Sequence, residues 1–473
     1  MEKFTSTRFE KIVRHPIRAG SKRLTVNPIR TAPRWKTPLW GLILAFSAGI
    51  GIGTILLMLP ISSASSQSSN FIDALFTATS ATLVTGLIVQ DTSLYWSFFG
   101  QAVILTLIQI GGLGYMTGLV FIVMAAGRRV SLNQRKALRI IMGGGMLGKI
   151  DLEAKNILLV SIAIQVLGII LLLFAFSMNN PDLKESLWQS VFHSISAFQN
   201  AGFDITGGSG SFTEFRSNPL MMMTITILSF LGGTGINVII AIILIRRWQP
   251  LNLDIKLIVV GFVIVASTGF LCILMAEWNN PLTLKGVSLS QKLLDTFYLS
   301  IGARTSGITS IPMSNLKDYS LFLLSGLMFI GGAAGSMTGG IKLGVFSIIY
   351  FSIWSSLKGG SRTLAFKREI PDIQVRRSFA VVAVSVLYII VATSLLSFFE
   401  KAPFIDVLFE TVSAFGLVGL STGVTPDLSI MGKIITILSM VMGRLAPVYI
   451  ALELVRRENV PLYRFPQEDV RIG

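Results

Sequence analysis

Charge is scarce in this chain, and histidine and cysteine are nearly absent. Of 473 residues, 14% are charged and 52% hydrophobic, with two histidines and one cysteine. A soluble globular domain carries about a quarter charged residues, so this composition excludes one and points to a polytopic membrane protein. The single thiol, Cys272, excludes disulfides and thiolate metal clusters and reads as a small buried hydrophobe. Of the histidines, His15 lies near the N-terminus, and His193 has no second His, Cys or acid at ligand spacing, so it reads as a packing residue. There is no G-x-S-x-G, no H-E-x-x-H and no phosphate loop, and no apolar run holds paired carboxylates, which argues against an enzyme or a nucleotide site.

What is abundant is apolar sequence. Runs long enough to cross about 30 Å of hydrocarbon fall at Trp40–Pro60, Trp96–Ala126, Ile157–Phe176, Met221–Ile245, Leu257–Ala276, Leu321–Leu357, Val381–Phe398 and Ile434–Leu454. A net charge of +16 raises nucleic acid as a partner, but the placement of the basic residues argues otherwise. With both termini cytoplasmic, 30 of the 40 Lys and Arg fall in the first 38 residues, the 127–156, 246–256 and 358–380 stretches and the C-terminus. That bias orients a chain in the cell membrane and suits anionic lipid. The first 38 residues, with ten basic residues against two Glu and no apolar signal core, read as a retained cytoplasmic tail.

Between paired spans lies a segment too short and polar to cross. Four can be laid together without gaps: IDALFTATSATLVTGL, WQSVFHSISAFQNAGF, LLDTFYLSIGARTSGI and FIDVLFETVSAFGLVGL. With Gly86, Gly202, Gly307 and Gly419 in one column, Phe76, Phe192, Phe297 and Phe409 stand ten residues before, and Ser80, Ser196, Ile301 and Ser413 six before. The chain thus repeats at about 110 residues, dividing into a tail (1–38) and units 39–150, 151–250, 251–370 and 371–473. The predicted fold is an all-α membrane protein of four M1–P–M2 pore repeats, eight transmembrane spans and four re-entrant pore helices around one central pore.

Backbone that leaves a helix at membrane depth survives only when buried in protein or lining water. Four such turns are therefore expected to meet. Glycine permits the angles that point successive carbonyls one way, and a ring of carbonyls can replace the water shell of a monovalent cation. The candidate ligands are Val84, Thr85 and Gly86; Asn200, Ala201 and Gly202; Thr305, Ser306 and Gly307; Leu417, Val418 and Gly419. Few ionised side chains lie nearby, which suits K+ better than Ca²⁺ or Mg²⁺.

The segments FHSISAFQNAGF, ARTSGI and FETVSAFGLVGL, with LIQIGGLGYMT, resemble the membrane subunit of the Ktr potassium uptake system in the Trk/Ktr/HKT superfamily, over roughly residues 38 to 473. The resemblance implies channel-like K+ uptake, a homodimer seated on a cytosolic ring of RCK-type nucleotide-binding regulatory subunits, and Na+ as an activator. No cofactor in this chain is implied. In the plant HKT branch a serine at the first filter position accompanies sodium preference; Gly86 stands there, which favours potassium. The extra N-terminal pair of spans typical of the Trk branch is absent from this sequence.

Second spans carry glycine clusters at 111–114, 232–235 and 331–340, with MGRLAP at 442–447 in the fourth. For the first two, close helix packing and a pore role stay open. The third, five glycines in ten residues, is expected to break its helix into a loop. The resemblance makes it an intramembrane gate of Gly331, Gly332, Gly335, Ser336, Thr338, Gly339 and Gly340. Within spans a charge costs about 2.5–3.5 kcal/mol on insertion scales. Arg444 matches a family arginine below the filter, with a packing ion pair as its other reading, and Lys342 either gates or snorkels to the cytoplasmic surface. Arg304 reads as a brace for the third turn, and Asp73 and Asp406 as helix caps. A rival reading is an alternating-access sodium or potassium secondary transporter, but such repeats are usually inverted, whereas units with two spans each are parallel. A structural scaffold leaves the four turns unexplained.

Overall fold

In the computed structural model, the described residues are 38–113, 150–178, 182–207, 213, 215–245, 250–308 and 310–456. The basic tail, most of the 127–156 stretch, the end of the Trp96–Ala126 run and the C-terminal segment lie outside them. The described chain is dominated by helix, whose backbone hydrogen bonds close within the segment as hydrocarbon demands. In chain order the helices are α1 (Pro38–Met58), α2 (Phe71–Leu83), α3 (Phe98–Leu113), α4 (Ile150–Ser177), α5 (Leu183–Gln199), α6 (Pro219–Thr234), α7 (Ile236–Ile245), α8 (Leu253–Glu277), α9 (Leu289–Thr305), α10 (Asp318–Phe329), α11 (Leu343–Leu357), α12 (Asp372–Phe399), α13 (Phe404–Gly416) and α14 (Ile430–Arg456). A small antiparallel hairpin, β1 (Leu364–Ala365) and β2 (Arg368–Glu369), joins α11 to α12.

Among the described residues a helix lies in each of the eight apolar ranges, the Trp96–Ala126 range being described only to Leu113. Among the described residues three, Lys155–Ser177, Leu253–Glu277 and Asp372–Phe399, are long and apolar enough to cross a membrane singly. They expose large apolar side chains such as Ile170, Val263 and Leu387, the pattern of a helix facing lipid. Cys272 on α8 is only half-buried, so it belongs to this outer surface more than to the core. The Met221–Ile245 run is not one straight helix: α6 and α7 are bent by 95° at Gly235, whose φ is +84°. The Leu321–Leu357 run is broken, as its glycines require, into α10 and α11.

Four short helices, α2, α5, α9 and α13, form the buried centre. Each packs on the helices before and after it in the chain, and each also meets a helix of the preceding group: α14 on α2, α3 on α5, α6 on α9 and α10 on α13. The last group therefore closes on the first, and Lys433 of α14 pairs with Asp73 of α2 at 2.7 Å. Three short helices begin with a side-chain cap, as Asn70, Asp182 and Ser288 accept from the amides of Ile72, Lys184 and Gln291. The caps are not the carboxylates expected from the sequence. Asp73 is spent on Lys433, and α13, which holds Asp406 in its first turn, starts at Pro403 without a side-chain cap.

Gly111, Gly232 and Gly443 bring α3, α6 and α14 against the short helices. A Cβ at any of them would collide with the carbonyl oxygen of Thr82, Phe198 or Phe415 respectively, so for the first two clusters close packing is what the structure displays. Gly443→Ala is expected to cost about 1–3 kcal/mol by overpacking, whereas Gly326→Ala, with nothing within 4 Å of the added carbon, gains helix propensity. Thermal unfolding of the detergent-solubilised protein measures both; equal melting temperatures would contradict this packing.

Candidate functional site

The four turns arise where the short helices end. Val84, Asn200 and Leu417 follow α2, α5 and α13 in the left-handed region, at φ +61°, +60° and +54°. Residues with a Cβ resist that conformation, so the surroundings must hold it. Backbone bonds from Thr85 to Ser80, Ala201 to Ser196 and Val418 to Ser413, at 2.8, 2.8 and 3.0 Å, fasten each turn to its helix. The serine column adds side-chain bonds: Ser80 and Ser413 accept from the amides of Gly86 and Gly419 at 3.1 Å, and Ser196 donates to the Phe203 carbonyl at 2.8 Å.

The third turn is built differently. Its helix runs one residue closer to the glycine, through Thr305, and Ser306 stays right-handed. The gapless alignment hides this shift: Phe76, Phe192 and Phe409 are fully buried while Phe297 is 42% exposed, and Tyr298 fills the interior instead. Where the serine column reads Ile301, the Tyr298 hydroxyl supplies a bond, donating to the Ile308 carbonyl at 2.7 Å.

The turns meet. Gly86, Gly202, Gly307 and Gly419 all have positive φ, from +65° to +95°. An added Cβ on Gly86 would strike the Ala201 carbonyl oxygen and lie 2.8 Å from the Gly202 Cα; on Gly202 it would lie 3.0 Å from the Ser306 oxygen. On Gly307 it would strike the Val418 oxygen, and on Gly419 the Thr85 oxygen. Each glycine thus faces the carbonyl that precedes the next glycine, and the fourth returns to the first. Thr85, Ala201, Ser306 and Val418 are fully buried. Because each turn follows the carboxyl end of a helix, four partial negative charges converge there. Among the described residues no group of three His, Cys, Asp or Glu side chains could hold a metal, so main-chain oxygen is the donor set this centre offers a cation.

Against the ring lies the non-helical segment 330–342. Gly339 abuts the Leu417 side chain and Gly340 the Gly416 backbone. The segment closes on itself through Gly331 to Ile341 (2.9 Å), Gly332 to the Thr338 hydroxyl (2.9 Å) and a 2.7 Å contact between the Ser336 and Thr338 hydroxyls. It also docks on the bend between α6 and α7. A helix broken at Gly235 leaves the last carbonyls of α6 free, and two of them, Gly233 and Gly232, accept from the amides of Ala333 and Met337 at 3.0 and 3.3 Å. Gly335 packs directly opposite Gly235. Sequence reasoning missed this seat and Met337; the 232–235 cluster was its visible signal.

Three cations hold the segment. Arg444 donates to the Met337 carbonyl at 2.6 Å and reaches the Gly111 carbonyl at 3.5 Å, so it braces the loop through these carbonyls. Lys342 donates to the Thr338 carbonyl at 2.5 Å, inward rather than out to the cytoplasmic surface. Arg304 is fully buried, stacks over the Phe262 ring at 4.2 Å and donates to the Gly331 carbonyl at 3.2 Å, so the bond it makes is to the start of this segment. His193 is more than packing: its Nε2 lies 2.8 Å from Asp204 just past the second turn, an acid brought near by the turn itself.

A family model described as TrkH, cation transport protein, matches residues 9–458. The chain is 35% identical over 437 residues to Ktr system potassium uptake protein B of Bacillus subtilis, covering 92% of this chain and 97% of that one. It is 35% identical over 430 residues to potassium/sodium uptake protein NtpJ of Enterococcus hirae, covering 89% and 94%. The potassium transporter TrkH from Vibrio parahaemolyticus has a crystal structure that superposes with a TM-score of 0.69 over 90% of this chain and 86% of that one, at 16% identity, a likeness of fold.

Removing the bond from Arg444 to Met337 is expected to free the segment. A hydrogen bond to a charged donor is worth about 1.5–3 kcal/mol, so in Arg444→Gln the segment opens roughly ten- to a hundredfold more often. Maleimide labelling of Ser336→Cys in a Cys272→Ala background measures it. Labelling equally slow with and without Arg444→Gln would show that the arginine does not hold the loop.

Proposed function

The chain belongs to the TrkH cation transport protein family, and from that premise we propose that it takes up potassium through a pore whose selectivity filter is the four-glycine ring. The observation that carries this reading is the closed circuit of Gly86, Gly202, Gly307 and Gly419, each against its neighbour's carbonyl. A potassium ion entering the ring exchanges its water for the main-chain oxygens of residues 84–86, 200–202, 305–307 and 417–419. The cost of dehydration is met by carbonyls already aimed and by the ends of four helix dipoles. Each M1–P–M2 repeat supplies one quarter, and the parallel closure of the four groups favours a pore over alternating access.

The segment 331–340 is the gate. Closed, it is pinned to the bend at Gly235 and by Arg304 and Arg444; opening requires an exchange of those carbonyl partners, which water in the pore can supply. Arg444 also places a fixed positive charge on the ion's path. Regulation reaches the gate from outside this chain, through a homodimer on a cytosolic ring of nucleotide-binding regulatory subunits, and Na+ acts as activator. Both termini are cytoplasmic and the protein sits in the cell membrane, its basic stretches against anionic lipid. The E. hirae relative, named for potassium and sodium uptake, makes the sodium dependence a necessary part of any assay.

In cells lacking their own potassium transport, Gly86→Ser, Gly202→Ser, Gly307→Ser and Gly419→Ser are each expected to reduce potassium uptake, measured with and without sodium and with a regulatory subunit co-expressed. Full uptake in all four would refute the filter. Deleting part of 331–340 is expected to raise flux; an unchanged flux removes the gate.

A further inference from the structure

A second column of the four-segment alignment remains unassigned. Nine residues before the ring glycines stand Thr77, His193, Tyr298 and Glu410, each on a short helix and each buried, although the one-residue shift of the third helix puts Tyr298 in the interior place that Phe76, Phe192 and Phe409 fill in the others. Three of them reach past the glycine to the limb of chain that leaves the ring. Glu410 accepts from the Ser421 hydroxyl (2.5 Å), the Thr422 amide (3.0 Å) and the Thr425 hydroxyl (2.6 Å). The Tyr298 hydroxyl donates to the Ile308 carbonyl at 2.7 Å. The His193 ring bridges the Gln189 carbonyl (2.7 Å) of its own helix to the Asp204 carboxylate (2.8 Å), which also accepts from the Thr206 amide and hydroxyl at 2.7 Å.

An acid, a phenol and an imidazole share little except reach. Burying any of them costs free energy unless its polar atoms are paired, and in all three positions the pairing is with the same target, the residues one to six beyond the ring glycine. In the first segment the equivalent Thr77 is too short: its hydroxyl has no hydrogen-bond partner among the described residues.

We propose that Glu410, Tyr298 and the His193–Asp204 pair are positioning residues that strut the outgoing limbs of three turns and thereby keep the carbonyl ring from contracting around a smaller cation. This rests on the reading of the ring as a potassium filter. The main-chain oxygens discriminate only while the turns hold their spacing, and a first shell held to about 0.5 Å needs a locked second shell. Three turns have that support in this column and the first lacks it.

The test uses the full chain in transport-deficient cells, with the amount in the membrane measured for each variant and the readout taken as the ratio of potassium to sodium uptake. Tyr298→Phe keeps shape and removes its bond, while Glu410→Gln keeps shape and replaces one accepting oxygen with an amide donor; losing about one net hydrogen bond is expected to lower the ratio about fivefold. Thr77→Val, which loses no bond, is expected to stay within about twofold. Gly419→Ala separates the two readings. If it abolishes uptake while Tyr298→Phe and Glu410→Gln leave the ratio unchanged, the struts are refuted and the filter stands; if Gly419→Ala and the matching variants of Gly86, Gly202 and Gly307 all transport normally, the filter itself is refuted. A drop in Thr77→Val as large as in Tyr298→Phe would also overturn the proposal. Should Glu410→Gln fail to accumulate, Tyr298→Phe decides.

Discussion

A peptide group left in hydrocarbon without a hydrogen-bond partner costs several kcal/mol, and the irregular parts of this chain are arranged around that constraint. Two breaks occur in neighbouring long elements, one at Gly235 and one at 330–342, and each supplies what the other lacks. The bend frees the carbonyls of Gly232 and Gly233; the segment brings the amides of Ala333 and Met337 to them. Neither break is tolerable alone. Together they form a seam that stays satisfied while closed and that can part only if water or other donors take over.

The same constraint explains the buried cations. Arg444, Arg304 and Lys342 sit where unpaired charge would be expensive, and each donates to a main-chain carbonyl of the 330–342 segment. Such bonds satisfy carbonyls that the irregular backbone leaves without helical partners. The arginines are thus suited both to hold the segment and to leave the ring's field to its carbonyls.

The ring and the long elements depend on glycine for different reasons. In Gly86, Gly202, Gly307 and Gly419 the missing Cβ leaves room for a neighbouring turn and permits a positive φ. In Gly111, Gly232 and Gly443 it leaves room for a carbonyl at the end of a short helix. The second set brings the long helices close enough for the first set to meet, so helix packing and ring geometry form one mechanical problem.

The helical class, the four glycine turns after short helices and the break within 331–340 were legible in the amino-acid sequence, because each depends on local chemistry: apolar length, the conformational range of glycine and the spacing of recurring residues. What the linear order could not contain was which distant groups would complete one another. The gapless alignment put Phe297 in the buried column, yet a helix that ends one residue nearer its glycine turned it outward and Tyr298 inward. Asp73 read as a cap and became the partner of Lys433, 360 positions away; His193 read as packing and found Asp204 only once the turn had folded back. Burial, pairing and the seat of the 330–342 segment were decided by tertiary structure, since the cost of an unpaired polar group is settled by whatever the fold brings within hydrogen-bonding distance.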